Sequence, residues 1–179
     1  MLMARDEAAL LVVDLQARLV PAVEDGDVIL QRAGILLAAA SRLDVPVVVS
    51  EQYPQGLGHT DSRLRLPGEA AVLAKTTFSC LREPALASHL EGLRRRQIVV
   101  CGMETHVCVL QTALDLHRSG YRVFVAADAV GSRAAARRQL GLDRMRAAGI
   151  TIVDSEMVVF EWLERAATET FRELVKSLK

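Results

Sequence analysis

QIVVCGMETHVCVLQTALDLHRSGYRVFVA, residues 97–126, holds two short apolar runs with one amphipathic segment between them. QIVVC (97–101) and YRVFVA (121–126) are rich in β-branched residues and show no polar alternation, the pattern of strands buried on both faces. Residues 104–118 between them carry helical spacing. A strand, a helix and a second buried strand in this order predict a parallel pair covered by its connecting helix.

The same alternation extends in both directions. ALLVVD (9–14), VPVVVS (45–50), AVLAK (71–75) and ITIVD (150–154) supply four further strands. Helical spacing recurs over 28–43, 84–93, 133–148 and 158–178, the last through Phe160, Leu163, Ala167, Phe171, Leu174 and Leu178. Thr170 and Glu173 fit a capping box that would divide this last segment into two helices. The predicted fold is α/β: a three-layer, doubly wound, Rossmann-like sheet of six parallel strands with helices on both faces, in one domain over 1–179.

Composition narrows the function. The 179 residues are 51% hydrophobic, enough for a large core, and Lys plus Arg balance Asp plus Glu at 22 each. That balance lacks the basic excess that phosphate binding needs, and aromatics at 4% leave little to stack on bases, so no nucleic-acid partner is expected. Three cysteines fit reduced thiols in a cytoplasmic protein better than a disulfide framework. The N-terminal apolar run is broken by Asp14 too soon for a signal peptide or a span, so no membrane partner is expected.

The longest irregular piece is EQYPQGLGHTDSRLRLPGE (51–69), long enough to suggest a functional loop. It contains Gly56-Leu57-Gly58 but no dinucleotide fingerprint, and no phosphate-binding loop occurs in the chain.

Ligands of doubly wound sheets bind beyond the carboxyl ends of the strands. The first strand ends in Asp14, the third in Lys75, the fourth leads through Gly102 to a helix bearing Cys108, and the fifth ends at Asp128. Each has two readings. Asp14 is a turn cap through Gln16 and Ala17 or an acid-base group; Lys75 is a side chain snorkelling to water or a site cation. Cys108 is a small apolar residue or, with Thr105 as N-cap, a thiol whose pKa the helix N-terminus lowers. Cys101 reads as core, and Cys80 lies in a loop. Cys101, His106 and Cys108 lack the spacing of a zinc site. Ser132 is the expected cap of the 133–148 helix, and Arg94, Arg95 and Arg96 suit a helix C-terminus.

Asp14 in LLVVDLQ, Lys75 in KTTFSC and Cys108 in CGMETHVCVLQTALDL, followed by DAVGSR, resemble the Asp-Lys-Cys pattern of the isochorismatase-like cysteine hydrolases. The resemblance covers nearly the whole chain, and EQYPQGLG with KTTFS is most similar to the branch called isochorismatase domain-containing proteins. It implies a hydrolase that cleaves an amide C–N bond of a small molecule through a thioester on Cys108, with Asp14 and Lys75 completing a catalytic triad. It implies an oxyanion hole made by backbone N–H groups of Glu104 and Cys108, with a cis peptide between Met103 and Glu104. Nicotinamidase-type relatives hold a metal through Asp-x-His after the second strand; here Ser50-Glu51-Gln52-Tyr53 departs from that pattern, so neither metal nor cofactor is expected. Gln52, Tyr53 and His59 are candidate pocket residues, and Arg133 in DAVGSR matches the family with a structural role. The alternative is a non-catalytic or redox-responsive oligomeric scaffold that keeps the fold. Val158-Val159-Phe160 and Trp162 suggest surface buried between subunits of a homo-oligomer.

Overall fold

A computed structural model describes residues 1–178. Six strands, β1 (Ala8–Val13), β2 (Val47–Gln52), β3 (Ala71–Lys75), β4 (Gln97–Met103), β5 (Arg122–Gly131) and β6 (Thr151–Val153), form one all-parallel sheet in the order β3-β2-β1-β4-β5-β6. The chain starts at the centre, winds outward to β3, then returns to β4 beside β1 and winds the other way. The reversal lies between β1 and β4, which opens a crevice at their carboxyl ends.

Among the described residues, six α-helices cover the two faces, α1 (Gly26–Arg42), α3 (Pro84–Gly92), α4 (Leu110–Arg118), α5 (Ala135–Ala147), α6 (Ser155–Leu163) and α7 (Glu169–Leu178), while the short α2 (Pro54–Leu57) lies in the loop after β2. Two apolar layers result. One joins α1, α6 and α7 to the sheet through Leu36, Leu37, Val159, Trp162 and Leu174. The other joins α3, α4 and α5 through Leu86, Leu90, Ala113, Leu116 and Met145. Alternate β1 side chains feed the two layers, Leu10 and Val12 one and Leu11 and Val13 the other, which is why β1 reads as continuously apolar. Among the described residues no helix is long and apolar enough to cross a membrane.

Several local expectations need correction. β5 runs past residue 126 because it bulges: Val100 pairs with Val125, but Gly102 pairs with Val130. Ser132 does not cap α5, which starts at Ala135 with the Glu24 carboxylate on the Ala135 N–H. The C-terminal segment does divide, but at 164–168, where Ala167 takes a positive φ of 66°, and the hydroxyl that receives the Phe171 N–H belongs to Thr168, not Thr170. Val158, Val159 and Trp162 are buried within the protomer, leaving only Phe160 of that group exposed, edge-on to Phe171.

Candidate active site

The carboxyl ends of β1, β2 and β3 stand in register: Val13 pairs with Ser50 and Gln52 with Lys75. Lys75 thus starts two strands away from Asp14, roughly 10 Å at ordinary strand spacing. Only a long side chain crosses β2 from there, and the Lys75 ammonium reaches the Asp14 carboxylate at 2.7 Å with both side chains wholly buried. On the way it donates to Gln52 Oε1 at 2.6 Å and to the carbonyls of Thr77 and Phe78, both at 3.3 Å. Asp14 leaves β1 with φ 51°, a left-handed turn aspartate tolerates, and its second oxygen accepts the Ser50 hydroxyl at 2.7 Å.

The third member arrives from the other side of the reversal. Gly102, with φ 123°, lets β4 press on β1; a Cβ there would lie 1.9 Å from the Val13 carbonyl oxygen. The Met103–Glu104 peptide is cis, and residues Thr105–Val109 form a π-type turn at the head of α4. Such wide turns concentrate at functional sites because they shift side chains and free backbone groups. Here the Glu104 carbonyl accepts the N–H groups of Val107 and Val109 and passes over that of Cys108 between them. The Cys108 thiol lies 4.0 Å from Gln52 Oε1, the atom that also accepts from Lys75, interacts electrostatically with Asp14, and its residue is 7% exposed.

Burial pushes the Asp14 carboxyl up, against the opposing pull of Lys75. Burial pulls the Lys75 ammonium down, but the charge of Asp14, then of Cys108 and Cys80, prevails and holds it above its usual range. Cys108 corrects the expectation of a helix-lowered thiol: burial, and then the negative charge of Asp14, push it well up, outweighing Lys75. The 2.7 Å contact pairs the Asp14 carboxyl with the Lys75 ammonium, and burial favours the neutral form of the neighbouring thiol. Transfer of the thiol proton to Asp14 would leave the total charge of the three groups unchanged.

Of the candidate pocket residues, Gln52 belongs to the site. Its side chain also donates to the Thr76 carbonyl at 3.0 Å, and its backbone is clasped by the buried Gln16, which spans Gln52 and Gly58. Tyr53 stands at the margin, 56% exposed, its N–H on the Lys75 carbonyl and its ring against Gly56. His59 does not join: its side chain is 85% exposed and rests on Glu51 at 3.0 Å. Asp128 serves elsewhere, holding the Ser155 N–H and hydroxyl at the start of α6.

Three participants escaped the sequence reading. Ser50 and Gln16 are single polar residues flanking apolar runs, a signal available but shared by many structural residues. Cys80 is fully buried, its N–H on Thr112 Oγ1 at 3.0 Å, and its thiol, pushed up by burial, feels both Asp14 and Lys75.

A metal finds no fitting donor set after β2. Glu51 spends its carboxylate on the Thr60 N–H and hydroxyl and on His59, and His59 is the imidazole that reaches this position. Among the described residues, no group of three His, Cys, Asp or Glu is placed to hold an ion.

Comparison with known proteins agrees with this architecture. Residues 8–157 match the isochorismatase domain model. Isochorismatase domain-containing protein 1 of Salmo salar is 39% identical over 166 residues, which span 93% of this chain and 59% of that one. The chain thus covers less than two thirds of that relative. A MAR1 ribonuclease structure from Caenorhabditis elegans superposes with TM-score 0.93 at 32% identity, covering 99% of this chain and 92% of that one. The pyrazinamidase of Pyrococcus horikoshii, solved in complex with zinc, superposes with TM-score 0.74 at 25% identity over 83% of this chain and 99% of that one. With the domain match running from β1 into α6, this chain belongs to the isochorismatase domain family.

Proposed function

We propose that this protein is a cysteine hydrolase that cleaves an amide C–N bond of a small molecule through a thioester on Cys108. The observation that carries the reading is the wholly buried Lys75–Asp14 pair at 2.7 Å beside the Cys108 thiol. Ion pairs taken out of water are poor stabilisers compared with apolar residues of similar volume, so a fold needing only stability gains little from this one. Next to a nucleophile it has a use.

In the first step the Asp14 carboxylate takes the thiol proton as Sγ attacks the amide carbonyl. Lys75 stabilises the thiolate and keeps Asp14 ionised beforehand. The carbonyl π electrons move to oxygen, and backbone N–H groups of Glu104 and Cys108 receive the oxyanion. Collapse of the adduct breaks the C–N bond, and Asp14 returns its proton to the departing amine. Water, losing a proton to Asp14, then attacks the thioester; the acid leaves and the proton restores the thiol. These residues supply every proton transfer without a cofactor. The narrow exposure of Cys108 favours a small substrate. Exposed Leu2, Met157 and Phe160 support assembly as a homo-oligomer.

The pyrazinamidase relative bears an amidase name and the MAR1 relative a ribonuclease name, so amides and RNA are to be set against each other. The test is incubation with a panel of aliphatic and aromatic primary amides and with single-stranded RNA, for wild type and Cys108→Ser. Ammonia release from an amide, lost in Cys108→Ser, with a hydroxylamine-trappable acyl group on Cys108, is the expected result. RNA cleavage that survives Cys108→Ser, or a Cys108 that neither turns over nor takes an acyl group, overturns the reading; the second outcome leaves the scaffold alternative.

A further inference from the structure

Residue 104 is held at two of its three polar groups. Its carbonyl accepts the Val107 and Val109 N–H groups at 3.0 and 3.2 Å. Its carboxylate, 7% exposed, takes three bonds from one residue: the Arg133 N–H and Nε on Oε2, both at 3.0 Å, and Nη2 on Oε1 at 2.5 Å. Among the described residues its own N–H meets no acceptor. That leaves one strong donor, four residues before Cys108 in the chain, with its direction fixed by the rest of its residue.

The neighbouring strand provides the fixing. The bulge that sets Val130 against Gly102 and Gly131 against Met103 brings the next two residues of β5's end over the start of the π-turn. Ser132 contacts His106 Nδ1 at 3.0 Å, and Arg133 forks onto Glu104. A guanidinium is suited to this, because its planar fork fixes both the position and the plane of a carboxylate. The hydrogen bonds of Arg133 also hold the Glu104 carboxyl below its usual range, so the pair stays charged through neutral pH.

We propose that Arg133 is a positioning residue for acyl transfer: its fork on the Glu104 carboxylate sets the direction in which the Glu104 N–H meets the oxyanion formed at Cys108. The proposal rests on the cysteine-hydrolase reading above and adds a residue outside the Asp14, Lys75 and Cys108 set, bonded to Glu104. It separates two reactions of the same thiol. Addition to a carbonyl creates an oxyanion, whereas displacement at a saturated carbon does not, so only the first feels the aim of the Glu104 N–H.

The test compares acylation of Cys108 by p-nitrophenyl acetate with its alkylation by iodoacetamide, in wild type, Arg133→Met and Arg133→Lys. Losing an oxyanion donor outright costs about 100- to 1000-fold, so a misdirected one in Arg133→Met should slow acylation by about 10-fold or more. Alkylation should stay within about twofold of wild type, because no interaction unique to a carbonyl adduct is involved. Arg133→Lys, which keeps the charge without the fork, should fall between. Acylation and alkylation falling in parallel would show a general structural role, and unchanged acylation in Arg133→Met would show none; either overturns the proposal. Wild-type Cys108 that is alkylated but never acylated would instead defeat the acyl-transfer reading, and this inference with it.

Discussion

Lys75→Met removes one charge while keeping an unbranched side chain of similar length, and so isolates what the ammonium does for Asp14. The buried carboxylate has two hydroxyl or ammonium donors, Lys75 Nζ and Ser50 Oγ, each at 2.7 Å; the variant leaves only the hydroxyl. Breaking a buried pair by removing one partner costs about 3–5 kcal/mol when the remaining group stays ionised. Asp14 has an alternative, which is to hold a proton. Burial keeps its carboxyl above the ordinary range even with Lys75 present, and without the cation it moves further in that direction. With the folded value above the unfolded one, the folded variant binds more protons than the unfolded chain, so its stability falls as pH rises through that window. Where Asp14 is protonated in the folded variant and ionised in the unfolded chain the slope approaches about 1.36 kcal/mol per pH unit, and in the variant this range extends to higher pH than in wild type. Urea unfolding followed by the emission of Trp162, the one tryptophan and fully buried, measures this directly. The double variant Asp14→Asn/Lys75→Met, which removes both charges, should lose the pH dependence. Parallel wild-type and Lys75→Met profiles from pH 5 to pH 8 would refute the reasoning, as would a loss below about 1 kcal/mol at pH 8.

Three further outcomes follow from burial and backbone geometry. In the native protein at pH 8 iodoacetamide should modify Cys108 alone, read site by site by mass spectrometry, while Cys80 and Cys101, both fully buried, react only after urea; Cys101 has its thiol pushed up to about 12. The Cys108 rate should keep climbing with pH beyond about 8.5, the unperturbed thiol value, and a plateau below it would contradict the buried neutral thiol described above. Gly102→Ala should lower stability by about 3 kcal/mol or more, since φ 123° and a Cβ 1.9 Å from the Val13 carbonyl force β4 away from β1. An unfolding midpoint close to wild type would mean that the two strands tolerate separation.

The fold was legible because buried parallel strands leave an unambiguous trace: ALLVVD and QIVVC have no polar alternation to confuse with an antiparallel edge. Asp14 and Lys75 were legible as strand-end residues and Cys108 as a residue at the head of the helix after the fourth strand, yet their mutual geometry was not, because the register of Gln52 with Lys75 is a tertiary fact. Local signals failed where tertiary contacts overrode them. Ser132 looked like a cap and instead contacts His106; Thr170 completed a capping pattern, but the chain restarted two residues earlier at Thr168. Val158 and Trp162 looked like interface residues because the sequence cannot show that α1 and α7 already cover them. The thiol's upward shift was invisible for the same reason, since helix position is local and burial is not.

Lys75 belongs to β3, the outermost strand of its side of the sheet, which has β2 as its single neighbour and leaves Val72 half in solvent. A strand bonded along one edge opens at lower cost than one held on both, and such opening leaves the remainder of the sheet intact. Every excursion of β3 carries the ammonium away from Asp14, so the thiol loses its cation while β1 and β4 remain paired. On the proposed mechanism, competence for acyl transfer follows the fraying of this margin, and moderate heat or dilute denaturant should abolish acylation of Cys108 before the centre of the sheet melts.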